Sequence, residues 1–239
     1  MTQAHGTKQD TMLDKVRKLF AKAESVAGTP EADVFNAKAF QLLAKYGLDE
    51  AQARQRSGEG PAPIEIGRFN IRGQYQREQS FLLHLMAREL HCEPLVMNGY
   101  GNHVVYGTAG HVERLRFLFA TLMPQMLAGA ARQQPSPRSK VGTKAFRMSW
   151  MRGFYNEVAA RLREAEGNAA SEAEPGMALV LMDDAKRAEA AFKADHGANA
   201  NYIKTRSRHD SNAAAAGAAA GQRVNLGQTG VGGHRALSS

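Results

Sequence analysis

The chain has 239 residues, and its 31 lysine and arginine residues against 23 aspartate and glutamate residues give a formal net charge of +8. This length allows one large domain or a core with a small satellite. A hydrophobic content of 43% excludes a wholly disordered chain, and a single cysteine, Cys92, excludes an internal disulfide framework. Because no signal-like or membrane-spanning apolar run is present, we expect a cytoplasmic protein that has no membrane partner.

Residues 1–51 predict two helices joined by a tight turn. Apolar residues at helical spacing predict a helix over 11–27. Thr29-Pro30-Glu31 is typical of the start of a second helix, with Thr29 as its N-cap, and Gly47 is placed to end it. A hairpin of this size buries little core alone, so we expect it to dock on a partner or on the rest of the chain.

The same segment carries a family resemblance. Residues 15–51 combine a basic, leucine-containing helix, a Gly-Thr-Pro-Glu-Ala turn, an alanine-rich helix and a Leu-x-Lys-Tyr-Gly ending. In this pattern the segment resembles a bacterial and phage family of domains of unknown function, number 2786. The resemblance implies a bacterial or phage protein, and it brings no activity and no catalytic residues with it.

Beyond a Gly/Pro/Ser-containing linker at 52–63, the pattern predicts a small α+β centre. An alternating segment at 64–71 predicts a strand, and the Asn98–Asn102 turn between two β-branched and aromatic runs predicts a hairpin. Together the predicted elements are a strand at 64–71, a helix at 75–91, strands at 93–97 and 103–107, and a helix at 111–131 that Pro124 can kink. The fold class is therefore α+β and mostly helical.

Two further helices complete the predicted central domain, residues 64–196. Apolar residues at steps of four predict a helix over 144–166, Gly, Asn, Ser and Pro break the pattern at 167–176, and a charged helix follows over 177–194. Residues 197–239 predict a flexible, basic, Gly/Ala-rich tail. Within this tail, residues 211–221 are alanine-rich and are either a supported helix or disordered.

The positive charge is concentrated in two blocks. Residues 131–153 contain six basic side chains and no acidic one, the tail contains five basic side chains and one acidic one, and an acidic segment lies between them. Clustered positive charge binds a phosphate backbone by counterion release. We therefore predict as phosphate contacts Arg138, Lys140, Lys144, Arg147, Arg152, Lys204, Arg206 and Arg208. Phe146 and Trp150 either stack on bases or form the core side of a helix.

Histidine and cysteine give a weaker signal. His84, His91, His103, His111 and Cys92 lie in or beside the central domain, but no His-x-x-x-His or Cys-x-x-Cys pair is present. The sequence alone leaves open whether these side chains converge on one site. We predict no metal ion and no cofactor, and we expect the acidic pair Asp183-Asp184 to lie on a solvated face.

Three functions follow from these patterns. The first is a non-enzymatic protein that associates with DNA or RNA through its basic segments. The second is a protein–protein or self-assembly module that uses the helical hairpin and the charged tail. The third is a metal-dependent hydrolase built on His84, His91, His103 and Asp183.

Overall fold

A computed structural model of the chain describes residues 3–26, 29–58, 60–137, 139, 141–174, 176–197 and 210–223. These residues form seven α-helices and one three-stranded sheet, so the fold is α+β and mostly helical, as its sequence predicts. In chain order the elements are α1 (Gln3–Ser25), α2 (Pro30–Ser57), β1 (Ile64–Asn70), α3 (Gln76–Glu89), β2 (Glu93–Val96), β3 (Asn102–Thr108), α4 (Ala109–Ala131), α5 (Thr143–Glu172), α6 (Met177–His196) and α7 (Ser211–Gln222). None of these helices in the described ranges is long and apolar enough to cross a membrane.

Helices α1 and α2 form the N-terminal hairpin, and their apolar faces are buried. The hydroxyl of Thr29 accepts a hydrogen bond from the backbone N–H of Ala32 at 3.4 Å, as expected of an N-cap. Phe20 of α1 and Phe40 of α2 meet edge to face, with ring centroids 6.0 Å apart, inside the main core. The hairpin therefore docks on the rest of this chain, one of the two partners that its sequence allows.

The prediction that Gly47 ends the second helix is wrong, because α2 continues to Ser57 and includes half of the predicted linker at 52–63. Leu48 and Ala51 are buried, and this burial stabilises the helix beyond Gly47. Gly47 has another role. A Cβ atom at this position would lie 2.9 Å from Cζ of Arg114, so glycine allows that guanidinium to approach the helix.

The three strands form an antiparallel sheet in the order β1-β3-β2. Side chains alternate along β3, so that Val105 joins the main helical core while Val104 and Tyr106 pack against Ala188 and Phe192 of α6. The sheet is therefore covered by the core helices on one face and by α6 on the other.

Helix α5 is longer than predicted. It continues past Glu166 to Glu172, because Ala165 and Ala169 still pack on the apolar core. The break falls instead near Gly176, whose φ of 98° is a left-handed conformation that favours glycine.

The alanine-rich part of the tail is a helix, α7, that packs along α5. The side chain of Asp210 caps it by accepting a hydrogen bond from the backbone N–H of Ala213 at 2.9 Å. At the other end, Arg161 of α5 donates to the carbonyl oxygens of Gly221 and Gln222, both at 2.8 Å. The sequence left open whether residues 211–221 form a supported helix or are disordered, and the structure shows the helix. This segment of the predicted flexible tail is therefore ordered by α5.

Candidate nucleic-acid interface

The N-terminal ends of α3 and α5 open into one cavity of about 670 Å³. Neither helix has a side-chain hydrogen bond at its N-cap, which is Tyr75 in α3 and Gly142 in α5. The free N–H groups at helix N-termini and the positive end of the helix dipole attract anions. The lining adds the cationic side chains Arg77, Lys144 and Arg147. The cavity is therefore arranged to receive an anionic group.

One carboxyl group, that of Glu78, also lines the cavity. Burial raises the pKa of Glu78 above its ordinary value, while a hydrogen bond from its own backbone N–H and the charges of Arg77, Arg152 and Lys144 act in the opposite direction. This carboxylate therefore occupies one of the N–H groups in the first turn of α3. Three basic side chains thus lie within electrostatic reach of a single buried acid. The positive charge of the lining exceeds the negative charge.

Aromatic side chains of α3 and α5 hold two of these basic residues. The guanidinium carbon of Arg77 lies 5.5 Å from the centroid of the Phe81 ring. Phe81 stacks on Tyr155 of α5, with centroids 5.8 Å apart, and Arg152 forms a side-chain hydrogen bond with Tyr155. A positioned cation gives up less conformational entropy when it binds an anion than a freely rotating one.

Three of the eight predicted phosphate contacts fall in the described part of the chain. Lys144 and Arg147 line the cavity, and Arg152 lies further along α5, where it influences Glu78. The other five lie outside the described residues: Arg138, Lys140, Lys204, Arg206 and Arg208.

Arg147 also has a structural role that its sequence context does not reveal. Its Nη2 donates a hydrogen bond to the carbonyl oxygen of Ala131 at 2.8 Å, and its Nε donates to that of Gln133 at 3.1 Å. Arg147 therefore satisfies carbonyl groups at and just beyond the C-terminal end of α4 while it lines the cavity.

The aromatic residues of the basic segment belong to the core. Trp150 is 3% exposed, stacks on Phe154, and lies so close to Gly129 that a Cβ atom there would be 3.0 Å from Cζ2 of the indole. Phe146 is partly buried against the same core. The alternative in which these rings form the core side of a helix is therefore correct. The aromatic residue that lines the cavity is Tyr75, which the sequence did not single out.

Four of the eight histidines, those singled out in the sequence, form two separate pairs. Nε2 of His103 lies 2.9 Å from the carbonyl oxygen of Tyr100, and Nδ1 of His103 lies 3.0 Å from Nε2 of His84. Because a carbonyl oxygen only accepts, His103 carries its proton on Nε2, and His84 donates to the free Nδ1. The rings of His91 and His111 are 5.4 Å apart.

Both pairs contain histidines that are held neutral. Burial, then His103 and Arg88, lower the pKa of His84 to about 3, and burial also lowers the pKa of His103. The pKa of His111 lies well below its ordinary value because the ring is buried and also close to Arg114 and His91.

Cys92 is a buried thiol. It is 4% exposed, and its Sγ lies 3.4 Å from the carbonyl oxygen of Leu90. Burial raises the pKa of Cys92 to about 12, so the reactive thiolate is scarce at neutral pH. This environment does not suit a nucleophile.

A buried ionic contact joins α4 and α5, and the sequence does not predict it. The guanidinium of Arg114, 1% exposed, contacts the carboxylate of Glu166, and Nε2 of His91 lies 3.6 Å from the other oxygen of that carboxylate. Burial opposes ionisation of Glu166, but Arg114 and His91 hold its pKa below the ordinary value. No periodicity signals this pair, because its members are 52 residues apart.

Of the acidic pair on α6, Asp183 is exposed as predicted, but the prediction of a solvated face is wrong for Asp184. Asp184 is 2% exposed and forms an ion pair with Arg187 at 3.0 Å. Among the residues that the structure describes, no three His, Cys, Asp or Glu side chains are grouped so that they could hold a metal ion. His84, His91, His103, His111 and Cys92 thus occupy three different settings rather than one site.

Comparison with known proteins gives one match. Searches of the curated proteins and of the solved structures found no match. Residues 11–50 match the model of the family described as "Protein of unknown function (DUF2786)". These residues cover most of the α1–α2 hairpin, so this part of the chain is similar to the DUF2786 family, as its sequence predicts.

Proposed function

We propose that this protein binds nucleic acid, with a backbone phosphate held in the cavity between the N-termini of α3 and α5. One observation carries the proposal: two helix N-termini, whose N-cap residues make no side-chain hydrogen bond, share a cavity that is lined by Arg77, Lys144 and Arg147. Oriented N–H groups and basic side chains are the groups that contact phosphate in protein–nucleic acid complexes.

Lys144 is the best single probe of this cavity. Its side chain is exposed and belongs to the first turn of α5. It lines the cavity and lies close enough to Glu78 to lower the pKa of that carboxyl group. Arg147 is less suitable because its loss also removes two hydrogen bonds to backbone carbonyl groups.

The remaining five predicted contacts lie close in sequence to α5 or to a residue that contacts α5. Arg138 and Lys140 precede α5, and Lys204, Arg206 and Arg208 precede Asp210, whose backbone N–H donates to Oγ of Ser149 on α5 at 3.0 Å. We include these five residues in the proposal on their charge and sequence position alone.

Fluorescence anisotropy with labelled single-stranded and duplex DNA and RNA, in rising salt, tests the proposal. We expect log Kd to rise with log salt concentration, with a slope of roughly 0.7–0.9 per phosphate neutralised. Lys144→Gln should weaken binding and reduce that slope by about one contact. Lys186→Gln, which removes an exposed lysine of α6 outside the cavity lining, is the matched control and should bind like the wild type.

The triple variant Lys204→Gln/Arg206→Gln/Arg208→Gln tests the tail while it keeps α7 intact. We expect a further loss of affinity and of salt dependence. No binding to any of the four nucleic acids at low salt would overturn the proposed function.

A further inference from the structure

The cavity between α3 and α5 has apolar walls as well as charged ones. Tyr75 and Met148 line it together with the basic residues, and each is partly buried against the main core, so each presents part of its side chain at a fixed place. Tyr75 precedes α3 directly and has a left-handed backbone with φ of 57°. Tyr75 therefore lies at the N-terminus of α3, the end of the helix that attracts an anion.

The volume and the lining of the cavity suit a small, partly apolar ligand. A volume of about 670 Å³ lies within the range of pockets that enclose drug-sized molecules. One nucleotide fits within this volume and combines a flat base with a phosphate. In a duplex, the bases are paired and stacked inside the helix, so only phosphates would reach the rim of the cavity.

We infer that the cavity accepts one unpaired nucleotide, with the base against Tyr75 and Met148 and its phosphate towards Lys144 and the two helix N-termini, and that the protein prefers single-stranded nucleic acid. This inference rests on the proposed function and names its substrate class. Base stacking on an aromatic ring tolerates any sequence, because every base has a π-face.

The other aromatic side chains of this region pack against protein groups rather than line the cavity, so Tyr75 is the candidate for stacking on a base. Phe81 and Tyr155 stack on each other, and Trp150 is enclosed by Phe154 and Gly129. Tyr75 is the aromatic residue that lines the cavity in the described part of the chain.

Two variants of Tyr75 separate stacking from packing. Tyr75→Leu keeps apolar volume but removes the ring, and Tyr75→Phe keeps the ring. We expect Tyr75→Leu to weaken binding of a single-stranded DNA by about 5- to 100-fold, the range for loss of one base stack. Tyr75→Phe should bind like the wild type. Tyr100→Leu, a tyrosine in the β2–β3 turn outside the cavity lining, is the matched control.

The measurement is fluorescence anisotropy of the full chain with one labelled strand, alone and annealed to its complement, and with the RNA of the same sequence. A single-strand preference that Tyr75→Leu abolishes and Tyr75→Phe retains supports the inference. Near-UV circular dichroism checks that each variant is folded. Equal or tighter binding of the duplex, or wild-type affinity of a folded Tyr75→Leu variant, overturns it. Absence of binding to every nucleic acid would instead overturn the proposed function.

Discussion

The guanidinium of Arg114 lies against Gly47 so closely that a Cβ atom on Gly47 would be 2.9 Å from its Cζ. Arg114 belongs to α4 and Gly47 to α2, within the segment that matches the DUF2786 family. At the same contact between α2 and α4, a Cβ atom on Gly110 of α4 would be 2.8 Å from Cδ of Glu50. In each of the two helices, a glycine thus leaves room for a charged side chain of the other helix.

Gly47→Ala should therefore destabilise the protein. Helix propensity alone favours alanine over glycine by about 1 kcal/mol. Steric overlap with the buried Arg114 should outweigh this gain, so that the substitution lowers the free energy of unfolding by about 1–3 kcal/mol. Urea unfolding followed by circular dichroism measures the change. Gly167→Ala is the matched control, because Gly167 is a helical glycine with no atom within 4 Å of its added Cβ, and it should be stabilising. Equal effects of the two substitutions would contradict the close approach.

The contact between Arg114 and Glu166 predicts a non-additive pair of mutations. Glu166→Gln leaves a buried guanidinium without its counter-ion, which costs about 3–5 kcal/mol of unfolding free energy. The double variant Arg114→Met/Glu166→Leu removes both charges and should be more stable than Glu166→Gln. As a control, Arg163→Gln opens the ion pair with Glu89, in which Arg163 is exposed, and should cost less than about 1 kcal/mol. A double variant less stable than Glu166→Gln would refute this account.

Helix α7 is held by glycine contacts with α5. A Cβ atom on Gly217 would be 2.7 Å from the carbonyl carbon of Trp150, so Gly217→Ala should loosen α7 despite the better helix propensity of alanine. The chain has a single tryptophan, and it lies at this contact. We expect a lower melting temperature and a changed Trp150 emission. Ala216→Val, at an exposed position of α7, should leave that emission unchanged. An unaltered spectrum in Gly217→Ala would count against the packing described.

Acid should destabilise the protein through its histidines. The lowered pKa values of His84, His103 and His111 mean that the folded state keeps these rings neutral. The unfolded chain takes up protons as the pH falls through about 6.5, so it binds more protons than the folded state below that value. The free energy of unfolding should be fully retained above about pH 7 and should fall as the pH drops towards 5.

His84→Gln isolates one of these groups. The amide of glutamine can still donate to Nδ1 of His103, but it does not titrate. The dependence of unfolding free energy on pH should then decrease by up to about 1.4 kcal/mol per pH unit. The carboxyl groups of Glu78 and Asp184, which are buried, and of Glu93, which is partly buried, have raised pKa values and act in the opposite direction, but they are common to both proteins. An unchanged slope would show that His84 titrates normally in the folded state.

Local patterns in the sequence determined much of this protein. Apolar spacing and turn residues specify the strand–helix–strand–strand–helix order, and Thr29 caps the second helix as predicted, because these signals act between residues that are close in the chain. The same signals failed at Gly47, where burial of Leu48 and Ala51 and a contact with Arg114 from another helix outweigh the tendency of glycine to end a helix.

The tertiary structure alone decided how the charges are used. The net charge of +8 and the basic segment before Gly153 were visible in the sequence, and they pointed to Lys144 and Arg147. Only the fold brings the N-terminus of α3, with Arg77 and Tyr75, to the N-terminus of α5 and forms an open cavity between them. Contacts between distant segments depend on the packing of whole elements, so no local pattern encodes them. The charge of this chain is therefore a property of its sequence, and the cavity that concentrates it is a property of its fold.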